Sequence, residues 1–182
     1  VPLEEVVEKY GADAFRIWSL SNTVWDDLRF NWNEIKEAHR ALGTVYNISV
    51  FLSRFYSAEK KPELHSEDKL AIEDKWLLSR LSATVEACTA AFEDYCPHAA
   101  TKAVREFIIE DISRFYMKLA KQRIDADGES SPAMAVLYKA FFDALRLLSP
   151  IAPFISESAY KSFYEKFEGK ESISIFEFPL AE

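Results

Sequence analysis

A chain of 182 residues that is 49% hydrophobic can bury one substantial core, and its 14 Phe, 8 Tyr and 4 Trp exclude intrinsic disorder. Only 4 Gly argue against a turn-rich β-sandwich and against glycine-rich phosphate loops, and 2 Cys without zinc-type spacing argue against a structural metal site. The net charge of −8 excludes RNA wrapped over the whole surface but permits one basic face, because phosphate contacts need local rather than total positive potential.

In chain order, Pro2 to Tyr10 reads as a short amphipathic helix stopped by Gly11, and Ala12 to Leu20 as a second. Ile35, Ala38, Leu42, Val45, Ser49, Leu52 and Tyr56 recur at three- and four-residue steps, one stripe of a long helix. A polar linker, Ser57 to Ser66, follows. Leu78, Leu81, Val85, Cys88, Phe92 and Tyr95 repeat the spacing. Pro97, at an N1 position, opens a third helix to about Arg123, with Val104, Ile108, Ile112, Phe115 and Leu119 on its apolar side. The loop Asp125 to Pro132 leads into a fourth helix striped by Leu137, Phe141, Ala144 and Leu148. Pro150 and Pro153 fix a corner, a short helix runs from Ile155 to about Phe167, and Ser172 to Phe178 alternates enough for an extended tail. The fold class is therefore all-α: a helix bundle with a short extended C-terminal tail.

No Ser-His-Asp set, metal constellation or convergent carboxylate pair is present, so no catalytic residue is named. Glu110 and Asp111, like Asp26 and Asp27, are neighbours that do not face a common centre. Cys88 and Cys96 read as buried thiols, and the four tryptophans as packing residues. The charge pattern worth weighing lies on the third helix. Arg114, Lys118 and Lys121 are spaced by four and then three residues, Arg123 follows, and Lys102 and Arg105 lie upstream. Such a stripe can follow an RNA backbone, or be an ordinary solvated face with ion pairs such as Glu110 with Arg114. Tyr116 beside it is a candidate stacking platform for an unpaired base, whereas Phe115 falls on the apolar stripe. No apolar run approaches the roughly 20 residues that span a bilayer, and no signal peptide opens the sequence. A cytoplasmic protein with no membrane partner is expected.

Several segments, in order, resemble those of class I aminoacyl-tRNA synthetases for large aliphatic amino acids. Pro2-Leu-Glu-Glu-Val-Val-Glu-Lys-Tyr-Gly-Ala-Asp-Ala-Phe-Arg16 resembles the stretch that follows the KMSKS loop in that family. Asp27 to Trp32, Asp74-Lys-Trp-Leu-Leu-Ser-Arg-Leu81, Phe107-Ile-Ile-Glu-Asp-Ile-Ser-Arg-Phe-Tyr116, Leu148 to Tyr160 and Ser172 to Pro179 are similar to its later motifs. The Glu-Asp-Ile-Ser-Arg run favours the isoleucyl type, in its archaeal form. Phe115 and Phe178 stand where the family commonly has tryptophan, and Ser174 where isoleucyl enzymes often have histidine, so valyl and leucyl types remain alternatives, as does a helical protein-interaction module.

The resemblance implies that residues 1–30 are a connection from a catalytic domain and residues 31–182 an anticodon-binding bundle. Its implied partners are a tRNA, that for isoleucine first, and the catalytic and editing domains of a longer chain. ATP and Mg would belong to that catalytic domain and no cofactor to these residues, which contain neither a HIGH signature nor a KMSKS loop. Of the basic stripe, Arg114 falls inside a matched motif and Lys118, Lys121 and Arg123 just beyond it.

Overall fold

The computed structural model describes residues 2–23, 25, 27–55, 61–65, 69–127 and 131–181. Tyr56, much of the Ser57–Ser66 linker, Asp26 and the centre of the Asp125–Pro132 loop lie outside them.

Helices α1 (Leu3–Tyr10) and α2 (Ala12–Leu20) meet at Gly11, whose φ of 84° would strain a residue with a Cβ. The turn lets both lay an apolar face on α3 (Trp32–Phe55), so that Val6, Ala14, Ile17 and Trp18 share a core with Ile35, Ala38, Val45, Ile48 and Leu52. Trp18 Nε1 donates to Glu34 Oε2 at 2.8 Å, tying the indole to the first turn of α3. Trp32 and Trp76 pack partly against the core, but Trp25 is 92% exposed and corrects the expectation that all four tryptophans pack.

A polar clamp joins α2 to the proline corner between α7 (Pro132–Leu148) and α8 (Pro153–Ala159). Arg16 donates from Nε to Ile151 O and from Nη2 to Pro150 O, each at 2.8 Å, while the Ile155 N–H donates to Asp13 Oδ2 at 2.7 Å. The cation thus sits on carbonyls just past a helix C-terminus and the carboxylate on an N–H in a helix's first turn, the favourable sign at each end. Arg16→Ala removes both charge-assisted bonds and is expected to lower unfolding stability by about 2 kcal/mol. Urea denaturation of the chain measures this, and an unchanged midpoint would refute it.

Helix α4 (Ile72–Glu93) runs antiparallel to a long helical run made of α5 (Pro97–Glu106), a π-helical segment (Phe107–Tyr116) and α6 (Met117–Asp127). The turn between them places Tyr95 at a φ of 57° with Cys96 N donating to Ala91 O at 2.7 Å, a left-handed helix ending. That geometry throws Tyr95 outward, 88% exposed, rather than onto the inner stripe. Cys88 is buried as expected, its thiol pushed up to about 11 by burial, whereas Cys96 is only partly covered. Helix α7 fills the centre, and its predicted stripe of Leu137, Phe141, Ala144 and Leu148 is buried throughout.

Helix α8 continues through a second π-helical segment (Tyr160–Tyr164) into α9 (Glu165–Glu168), which Gly169 ends at a φ of 67°. The tail departs from the predicted alternation. Ile173–Ile175 form a 3-10 turn, held where Ser172 Oγ and Ile173 N donate to Glu157 Oε2 at 2.8 and 3.0 Å, and Ile173 is buried. Beyond it Phe178 packs edge-on against Phe92. The described part of the linker also packs back, with Pro62 buried and Lys61 Nζ 2.7 Å from Glu168 Oε1.

Candidate nucleic-acid interface

On the long helical run a buried stripe passes through Ala100, Val104, Ile108, Ile112, Tyr116, Ala120 and Ile124, each four residues after the last, with Thr101 and Phe107 buried beside it. In an unbroken α-helix six such steps would carry the stripe about 240° round the axis. The π-helical segment absorbs that drift because each of its turns takes more residues, as in the Met117 N bond to Ile112 O. The consequence corrects two expectations. Tyr116 is fully buried and cannot stack on a base, whereas Phe115 and Leu119, expected inside, are each 47% exposed.

Tyr116 points into a polar hub at the start of α4. Its hydroxyl donates to Asp74 Oδ1 at 2.7 Å and lies 3.1 Å from Ala133 O. Arg123 donates from Nη1 and Nη2 to the two Asp74 oxygens, both at 2.8 Å, and reaches Glu73 at 3.0 Å. The Ala71 N–H donates to Asp74 Oδ2 at 2.9 Å, so the carboxylate also caps the helix it opens. Burial by itself would raise the Asp74 carboxyl, but the bonds from Arg123, Tyr116 and Ala71 outweigh it and hold the group below the ordinary carboxylate range. Burial and the adjacent Asp74 charge raise the Tyr116 hydroxyl far above an ordinary phenol.

Outside this hub lies an exposed face built by two elements. The first turns of α4 contribute Ile72, Lys75 and Trp76, which share a side by their spacing. The long helical run contributes Phe115, Lys118 and Leu119. The Trp76 and Phe115 ring centroids are 4.6 Å apart at a tilt of 59°, and one turn along Arg80 Nε meets Asp111 Oδ2 at 2.8 Å, bracing the two helices. Lys75, Lys118 and Lys121 are exposed and have no ion-pair partner among the described residues.

The remaining predicted cations divide. Arg114 is exposed but pairs with Glu110 at 2.6 Å, an exposed contact of the kind that contributes little and can be exchanged. Lys102 is exposed near Glu106, at 3.9 Å. Arg105 is half-buried, donates to Ser21 Oγ at 3.2 Å, and is lowered by burial against the pull of Glu37 and Glu106. It braces α5 to α2. Arg123 belongs to the hub. Of the seven residues named from spacing, the structure therefore places Arg114, Lys118 and Lys121 on one open face and moves Tyr116, Arg105 and Arg123 into structural roles, with Lys102 apart.

The sequence profile of the family described as the anticodon-binding domain of tRNA ligase matches residues 74–182. The chain belongs to that family. The match begins at the hub carboxylate itself and takes in Phe115, Leu119 and the whole basic stripe. In comparisons with single proteins the chain is matched over nearly its whole length, N-terminal helices included. It is 38% identical over 185 residues to the isoleucine–tRNA ligase of Methanopyrus kandleri, covering 96% of this chain and 17% of that one. It is also 38% identical over 178 residues to that of Saccharolobus solfataricus, covering 93% and 18%. The chain thus spans about a sixth of the length of the curated relatives it matches, going by the 17% and 18% covered. In fold it matches a LeuRS of Agrobacterium radiobacter K84, solved as a ternary complex with tRNA and LeuAMS, over 100% of this chain and 21% of that one, with a TM-score of 0.71 at 22% identity.

Asp74 and the Trp76–Phe115 pair were not among the residues singled out from spacing. For the outward turn of Phe115 alone the sequence holds a signal, the four-residue repeat ending in Tyr116, Ala120 and Ile124, which competes with the three-and-four pattern through Phe115 and Leu119.

Proposed function

We propose that this anticodon-binding domain serves an isoleucine–tRNA ligase, and that it holds the anticodon arm of the tRNA on the face carrying Trp76, Phe115, Leu119, Lys75, Lys118 and Lys121. One observation carries the placement: two partly open aromatic rings lie in contact at the surface, with lysines nearby that no acidic residue among those described pairs with. Unpaired bases are bound by aromatic rings and their backbone by cations, and this face offers both within two helices. Isoleucine is favoured by relatives of that name at 32% to 38% identity over nearly the whole chain. Catalytic and editing domains of the same polypeptide complete the partner set, and ATP and Mg would be bound there. A cytoplasmic location fits, no described helix being long and apolar enough to cross a membrane.

The test is a titration of isoleucine, valine and leucine tRNA transcripts across a range of salt. The isoleucine tRNA is expected to bind best, with affinity falling as salt rises. Lys118→Ala is expected to weaken all binding and to reduce the salt slope by about one unit. An unchanged slope would move the phosphate contacts off this face.

A further inference from the structure

We propose that Tyr116 is a positioning residue that sets the register of the long helical run, and that this register is what presents Phe115 and Leu119 to RNA. The proposal rests on the RNA-binding reading above. Local patterning favours the other register. In an unbroken α-helix Val104, Ile108, Ile112, Phe115 and Leu119 form one stripe, which would bury the last two and turn Tyr116 aside. The structure does the reverse, with Tyr116 and Ala120 fully buried and Phe115 and Leu119 half open. Placing Tyr and Ala inside in place of Phe and Leu forgoes apolar burial, so a specific interaction must hold the register.

The hydroxyl of Tyr116 provides one. It reaches 2.7 Å from Asp74 Oδ1, a carboxylate with no exposed surface whose other ligands come from Arg123 and Ala71. Turning Tyr116 outward would strip a donor from a buried charge. The additional residues are taken up between Phe107 and Tyr116, directly upstream of the point where the outward positions begin to matter. π-helical insertions gather at functional sites, and here the insertion moves a phenylalanine outward to within 4.6 Å of Trp76. The second π-helical segment is an internal comparison. It too ends on a buried tyrosine, Tyr164, whose hydroxyl donates to Tyr138 O at 3.1 Å, yet Phe163 beside it stays buried. Burying a tyrosine in this way therefore does not by itself force a large apolar residue into solvent.

Register can be read without RNA. In a chain carrying Leu119→Cys and Cys96→Ser, with Cys88 buried, the alkylation rate of the introduced thiol reports whether position 119 faces outward. Adding Tyr116→Phe is expected to slow that rate at least roughly five-fold, and Asp74→Asn, a weaker acceptor, to slow it less. With Leu119 and Cys96 intact, Tyr116→Phe is expected to weaken isoleucine tRNA binding by a similar factor while circular dichroism shows the helices retained. An unchanged alkylation rate in both variants would overturn the proposal whatever happened to RNA binding. Slowed alkylation with unchanged affinity would instead break the link between register and RNA, and would remove Phe115 and Leu119 from the binding face. Loss of tRNA binding by the parent chain with a normal register response would count against the RNA reading alone.

Discussion

Asp74→Ala is expected to destabilise the chain by about 3 kcal/mol and, for its size, to lower Tm by roughly 6–12 °C. The carboxylate is fully buried and receives donors from Arg123, Tyr116 and the Ala71 N–H, so its removal leaves a guanidinium, a phenol and a helix N-terminus short of a partner at once. Arg123 keeps 29% of its side-chain surface and a second contact in Glu73, which places the effect at the lower end of the range for broken buried pairs. The effect depends on pH in a fixed direction. Asp74 is held below its ordinary value of 3.8, so its contribution is complete above that pH and is lost as pH falls through the lower folded value. Asp13, raised by burial, works the other way: its contribution is complete below 3.8 and lost as pH rises through the folded value. Being common to both chains, it cancels in their difference. The stability gap between parent and Asp74→Ala should therefore be flat from roughly pH 5 to 8 and shrink in acid. A gap that persists undiminished to about pH 2 would show that Asp74 acts mainly by shape.

Trp76→Ala and Phe115→Ala are each expected to weaken tRNA binding by roughly ten-fold, since a stacked base contributes about 1–3 kcal/mol through its aromatic partner. Because the rings touch each other at 4.6 Å, the double variant should lose less than the product of the two single losses. Both side chains are partly open, so the folded state should survive each truncation and the losses can be read as binding effects. The salt slope should stay near that of the parent chain, in contrast to Lys118→Ala. Additive losses in the double variant would argue that the two rings serve separate contacts, and no loss in either would leave the pair as packing alone.

Much of the scaffold was legible in the residues. Stripes such as Ile35, Ala38, Val45 and Leu52 predict helices because apolar spacing follows the α-helical period, and Pro97 does stand in a first turn, as do Pro132 and Pro153, which the sequence reads as a loop end and a corner. The candidate face was less legible for a physical reason. Its orientation depends on a change of helical period inside Phe107–Tyr116, and spacing rules that assume a constant period put Phe115 inside and Tyr116 outside. The hub was invisible for another reason: Asp74 meets its partners across 42 and 49 residues, where a single sequence carries no pairing signal. Arg123 looks like one more cation on a basic stripe until its carboxylate is seen.

The clamp of Asp13 and Arg16 on the proline corner has a mechanical side. It sits toward the α2 end of the bundle, where Arg105 also meets Ser21, whereas the Asp74 hub and the aromatic pair lie toward the opposite end of the long helical run. Between Arg105 and Arg123 that run is roughly 27 Å long. A tilt of about 5° transmitted through the clamp would sweep the far end by roughly 2 Å, more than half the spacing of stacked bases along one strand. Side chains as remote as Arg16 therefore bear on where the proposed RNA face sits, since a small rotation at α2 corresponds to more than half a nucleotide step there.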